Sequence, residues 1–146
     1  MISIGEDGYR SRAQSIVHTA RAIGSGVSSI RGLRLMTPSP FMVVCMGSDE
    51  LDIYRIHDAM NEFGWHMNTM QSPPGIHFCV TLNAVGEEST FLQDLSNAVE
   101  KVRKEQQESC ENKKQGTAGV YGMIGAVPPG PLEFVLGSYM DASLAL

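Results

Sequence analysis

No lysine occurs before residue 101. All four lysines of the 146-residue chain, Lys101, Lys104, Lys113 and Lys114, fall in one charged, polar stretch. A lysine that forms a Schiff base needs a desolvated pocket to depress its pKa, and none of these four has apolar surroundings in sequence. Basic residues are also the minority, with 11 Lys and Arg against 16 Asp and Glu and a net charge of −5. That balance excludes a broad basic surface for nucleic acid. Long apolar runs are missing as well; none approaches the roughly 20 residues of a membrane helix. Met1-Ile2-Ser3-Ile4-Gly5 has neither the basic nor the apolar region of a signal peptide. The three cysteines, Cys45, Cys79 and Cys110, are odd in number and lack metal-ligand spacing. Cys45 and Cys79 lie in apolar runs and read as buried thiols of a reducing, cytosolic setting.

What is present is well punctuated: 15 glycines and 7 prolines divide the chain. Ile16, Ala20, Ile23, Val27 and Ile30 recur at helical spacing and predict a helix over 9–31, closed by Gly32. Gly24 and Gly26 lie inside it, so the helix bends there or another element approaches closely. Leu33–Met36 and Phe41–Met46 read as strands separated by Pro38 and Pro40, the second covered on both faces. Ser48 or Asp49 opens a second helix, with Ile53, Ile56, Met60 and Phe63 inward and Gly64 at its end. Trp65–Met70 is extended, Ser72–Gly75 a turn, and Ile76, Phe78, Val80 and Leu82 alternate as a period-2 strand. A third helix covers 88–107, with Phe91, Leu95, Ala98 and Val102 as its stripe. The run from Lys104 to Gln115 buries little and reads as a linker. Gly116–Met123 is loop-like, and Pro131 opens a last helix through Leu132, Phe134, Val135, Tyr139 and Met140. The order predicts an α+β fold: a small, mostly antiparallel sheet with helices packed on it.

Few residues offer chemistry by themselves. His57, beside Asp58, reads as a partly exposed helical histidine. His66 and His77 lie on extended segments, but no third ligand has metal spacing, so no metal site is expected. His18 marks a surface or an interface. Asp49, Glu50 and Asp52 suit a helix start by charge alone, as do Glu87 and Glu88. No nucleophile elbow or phosphate loop is present.

Several phrases are more specific. Gly5-Glu6-Asp7-Gly8-Tyr9 leads into Thr19-Ala20-Arg21. Asp52-Ile53-Tyr54 precedes His57-Asp58-Ala59-Met60 and Gly64-Trp65-His66-Met67-Asn68. Gln71, Pro73-Pro74 and Ile76-His77-Phe78-Cys79-Val80-Thr81-Leu82 follow, and Val120-Tyr121-Gly122-Met123 stands near the end. In this order they resemble the C-terminal region of the sphingosine-1-phosphate lyases, within the fold-type-I, group II decarboxylase-like pyridoxal-phosphate (PLP) enzymes. The resemblance runs from about Gly5 to the last helix and is densest over Gly64–Leu82.

The resemblance implies a small C-terminal domain whose cofactor lysine belongs to a large domain not present in this sequence. It implies PLP as the cofactor of a larger homodimeric enzyme, with none held by this chain alone. The implied reaction cleaves a sphingoid-base phosphate to a fatty aldehyde and phosphoethanolamine. The phenol of Tyr121, matching the family's late Tyr-Gly motif, is the one implied catalytic contact. The implied organisation is a domain over 1–108 (with 1–31 as leading helix), a linker over 109–116, and the Tyr-Gly loop and terminal helix over 117–146. The implied setting is the cytoplasm, or the cytosolic face of the endoplasmic reticulum for a membrane-anchored parent. Two other readings stand beside it: a non-catalytic dimerisation module, and the small domain of a PLP-dependent amino-acid decarboxylase.

Overall fold

A computed structural model describes residues 4–108. The linker, Cys110, Lys113, Lys114, the loop holding Tyr121 and the expected terminal helix lie outside the described residues. The elements are α1 (Gly5–Ser29), β1 (Arg34–Leu35), β2 (Val43–Gly47), α2 (Ile53–Glu62), β3 (Asn68–Gln71), β4 (Pro74–Cys79), a 3₁₀ turn (Leu82–Ala84) and α3 (Glu88–Glu108). The sheet order is β1-β2-β4-β3, and every neighbouring pair is antiparallel. The expected α+β architecture is therefore observed.

Alternation along the two central strands assigns the faces. Val44 lies opposite Phe78, and Met46 opposite Ile76. All four are buried, together with Ala20, Ile23 and Val27 of α1, Ile53, Ile56 and Met60 of α2, and Phe91, Leu95, Ala98 and Val102 of α3. One face of the sheet thus carries the core beneath α1 and α2, and α3 packs against both of those helices. Gly24 and Gly26 owe their place to close approach. A Cβ on Gly24 would lie 3.1 Å from Pro40 Cγ, and one on Gly26 only 2.3 Å from Leu92 Cδ1. The missing side chains let α1 settle onto the β1–β2 connection and onto α3.

Several boundaries differ from the sequence reading. Helix α1 begins at Gly5 rather than at residue 9. Helix α2 begins at Ile53, because Asp52 caps it: its carboxylate accepts from the Tyr54 N–H at 3.1 Å. Ser48 makes a turn of its own instead, its hydroxyl accepting from the N–H groups of Glu50 and Leu51. Gly64, at φ +90°, ends α2 as expected. Phe63 is 47% exposed rather than core. Strand β4 begins at Pro74 and stops at Cys79, and Leu82 enters the 3₁₀ turn, 42% exposed. Helix α3 runs over Glu88–Glu108, close to the expected 88–107, so the polar run that starts at Lys104 is helical through residue 108.

Non-local polar contacts fix the layers. The indole N–H of Trp65 donates to Asp94 Oδ2 at 2.8 Å. Its ring meets Phe78 and Phe91 edge-on at 5.9 and 5.1 Å, and those two stack at 4.7 Å. The Tyr54 hydroxyl donates to the Met70 carbonyl at 2.7 Å, anchoring α2 to β3. Both residues act in packing, each with its polar atom satisfied.

Buried Thr19 donates its hydroxyl to Glu88 Oε1, joining α1 to the first turn of α3. This bond, then the backbone N–H of Glu88 itself, holds the Glu88 carboxyl below its ordinary range against the opposing effect of desolvation. A folded-state pKa below the unfolded one adds stability that is full above the unfolded value and vanishes as pH falls through the folded one. Thr19→Val is therefore expected to cost about 1 kcal/mol at neutral pH. The deficit is expected to shrink toward zero below the carboxylate range. Urea denaturation at the two pH values checks this; an equal deficit at both would contradict it.

Candidate functional site

The opposite face of the sheet carries the residues that alternate with the core. The register places Cys45 opposite His77 and Val43 opposite Cys79, and His77 opposite Asn68 on its other side. The Met36 N–H donates to the Cys45 carbonyl at 2.8 Å, extending the row past β1. Met36, Cys45, His77 and Asn68 thus form one line across the sheet. One row along, Gly47 and Gly75 form a side-chain-free floor. A Cβ on Gly75 would lie 2.9 Å from both Met36 Sδ and Met70 Cε, so the two methionines meet over it.

This face corrects two readings. Cys79 is exposed and Cys45 only partly buried, because α1 and α2 pack on the strands' other side. Continuous apolar runs suggested cover on both faces; among the described residues, the core helices cover one. Buried His57 also departs from expectation. Its Nε2 lies 3.1 Å from the Met67 carbonyl, with Asp58 and Asn61 beside Nδ1. The chain returning after α2 covers this ring, a contact that helical periodicity does not contain.

His77 has the most demanding chemistry here. Its Nδ1 is buried without a hydrogen-bond partner among the described residues, a condition that costs roughly 1–3 kcal/mol when left unmet. His66 is exposed and apart from this row. Among the described residues, no group of three or more His, Cys, Asp or Glu side chains is placed to hold a metal. His18 is exposed and lines a surface groove with Gln14, Ser15, Thr19, Gly86 and Glu88. No described helix is long and apolar enough to cross a membrane.

The described lysines do not fit a PLP site. Lys101 pairs with Glu62 at 2.5 Å with its side chain 45% exposed, and Lys104 is exposed. Neither occupies the enclosed, desolvated setting that a Schiff-base amine requires. The tyrosine expected to reach the cofactor, Tyr121, lies outside the described residues. Sequence reading listed Cys45 and His77 separately and missed their row; the residues alternating with Val44, Met46, Ile76 and Phe78 were the available signal.

No family model matches the sequence. Glutamate decarboxylase from Lactobacillus brevis matches with a TM-score of 0.61 at 21% identity, over 69% of this chain and 26% of that one. At that identity the likeness defines the fold class alone. The sequence matches are more particular. A sphingosine-1-phosphate lyase of Arabidopsis thaliana is 35% identical over 97% of this chain and 26% of its own length. One from Dictyostelium discoideum is 34% identical over 88% of this chain and 23% of its own. The solved lyase of Burkholderia pseudomallei matches with a TM-score of 0.67 at 35% identity, over 74% of this chain and 25% of that one. The chain is a homologue of the sphingosine-1-phosphate lyases and spans about a quarter of the length of the curated relatives it matches.

Proposed function

We propose that this chain serves as the C-terminal small domain of a PLP-dependent carbon–carbon lyase acting on sphingoid-base phosphates. The observation that carries the reading is identity of 34–35% to sphingosine-1-phosphate lyases across 88–97% of the chain. In such an enzyme the cofactor supplies the electron sink for the carbanion left by bond cleavage. The cofactor lysine comes from a part of the enzyme other than this chain. The Tyr121 phenol is the group of this chain assigned to hold or move a proton in the reaction. The open sheet face and the exposed start of α1 contribute contacts to the remainder of a dimeric enzyme.

Borohydride reduction of the purified chain with PLP tests the division of labour. The expected result is no lysine carrying a stoichiometric pyridoxyl group by peptide mass. Stoichiometric labelling of a single lysine would overturn it. Graft of this chain in place of the matching segment of the Burkholderia pseudomallei lyase tests the family role. The chimera is expected to retain cleavage of a sphingoid-base phosphate within about tenfold of its parent, a loss of at most roughly 1.4 kcal/mol.

A further inference from the structure

We propose that two copies of this chain pair through one end of the sheet, where the bend before β2 and the 3₁₀ turn after β4 lie side by side. Among the described residues six large apolar side chains are exposed, and four of them, Phe41, Met42, Leu82 and Val85, belong to these two segments. The backbone joins the segments: the Val80 N–H donates to the Met42 carbonyl at 2.7 Å, and Leu82 follows two residues later. Helix α1 joins them a second time. The Arg21 guanidinium lies 5.8 Å from the Phe41 ring centroid, and His18 shares a groove with Val85. Arg21 and His18 are three residues apart, neighbours on one side of the helix. The four side chains therefore make one patch rather than four scattered exposures, and a contiguous apolar patch marks a contact surface. It lies at the strand ends rather than on the open face or at the start of α1.

The charges at its two ends select a second copy. One end is basic, with exposed Arg21 beside Phe41, and the other acidic, with exposed Glu87 two residues after Val85. A two-fold axis through the apolar middle sets the basic end of each copy against the acidic end of the other. The same ion pair then forms twice, and the apolar side chains meet their own counterparts. Glu88 takes no part, since Thr19 of its own chain donates to its carboxylate. An anionic lipid surface would attract Arg21 but repel Glu87, whereas a second copy satisfies both. The surface is small, so the pair belongs with the weak class of interfaces and is expected to form only above roughly 10 µM. The pairing needs nothing but this chain and is independent of the lyase reading.

Sedimentation velocity of the intact chain, over about 1–200 µM, tests the proposal. The expected result is a mass that rises from one chain to two across that range. Phe41→Asp/Leu82→Asp is expected to stay a monomer throughout. Arg21→Glu and Glu87→Arg are each expected to weaken pairing roughly tenfold, and the combined Arg21→Glu/Glu87→Arg chain to return to within about threefold of the parent. Both charged positions are exposed, and unchanged circular dichroism and Trp65 emission verify the fold of each variant. A chain that stays monomeric at the highest concentration would overturn the proposal. So would a dimer that the apolar pair of substitutions leaves intact, or single charge variants that the combination does not restore. Pelleting of a monomeric chain with phosphatidylserine vesicles, lost in Phe41→Asp/Leu82→Asp, would make the patch a lipid contact and overturn it as well.

Discussion

Replacing Phe91 by alanine is expected to remove about 3–5 kcal/mol of stability. Phe91 is fully buried, stacks on Phe78 at 4.7 Å and meets Trp65 edge-on at 5.1 Å. Truncation empties the point where α3, β4 and the segment after α2 converge, and the rings around it cannot all collapse into the gap. Domains of this size hold roughly 5–15 kcal/mol in total, so the variant is expected to sit close to unfolding at room temperature. Urea denaturation followed by circular dichroism and by emission of the single tryptophan measures the loss. Phe41→Ala is the control: that ring is 66% exposed, with the Arg21 guanidinium 5.8 Å from its centroid. Its truncation is expected to change stability by no more than about 0.5 kcal/mol. Comparable losses for the two variants would contradict the placement of the aromatic cluster.

The second large effect rests on the proposed lyase role. Tyr121→Phe in the chimeric Burkholderia pseudomallei enzyme is expected to lower kcat about 100-fold, some 2.7 kcal/mol of barrier. The substitution removes one phenolic oxygen and keeps the ring, so the effect isolates the O–H group. A phenol that only binds substrate phosphate would raise KM and leave kcat intact. A phenol that only anchors its loop would leave both unchanged and lower the melting temperature. Either of those outcomes would remove Tyr121 from proton transfer.

The sequence carried the fold through local signals and lost it where distant parts meet. The stripe Ala20, Ile23 and Val27 predicted the buried face of α1, and the alternation Ile76, Phe78 and Val80 predicted that of β4 and the residue just after it; all six are buried. Gly64 marked a helix end and takes positive φ, whereas Gly32, also at positive φ, lies in the turn after α1, which already ends at Ser29 with Ile30 extended. The start of α2 was set too early, at Ser48 or Asp49, because Ser48 does accept from the N–H groups of a turn, and only the hydrogen bonds separate that turn from the cap at Asp52. The period-2 pattern ran on to Leu82 because alternation carries no stop signal of its own. Burial of His57 depends on the Met67 carbonyl ten residues away, and exposure of Cys79 depends on which side of the sheet the helices chose. The candidate site suffered most, since a row across four strands exists only once register is set. Tyr121 entered through the resemblance alone and lies outside the described residues.

The narrow gap between α1 and α3 has an evolutionary corollary. With Leu92 only 2.3 Å from where a Cβ on residue 26 would stand, the two positions share one fixed volume. Among homologues, a larger residue at 26 is expected to appear together with a smaller one at 92. The pair is then a point where substitutions are acceptable jointly and harmful singly, and its covariation would trace how the two helices keep their spacing as the family diverges.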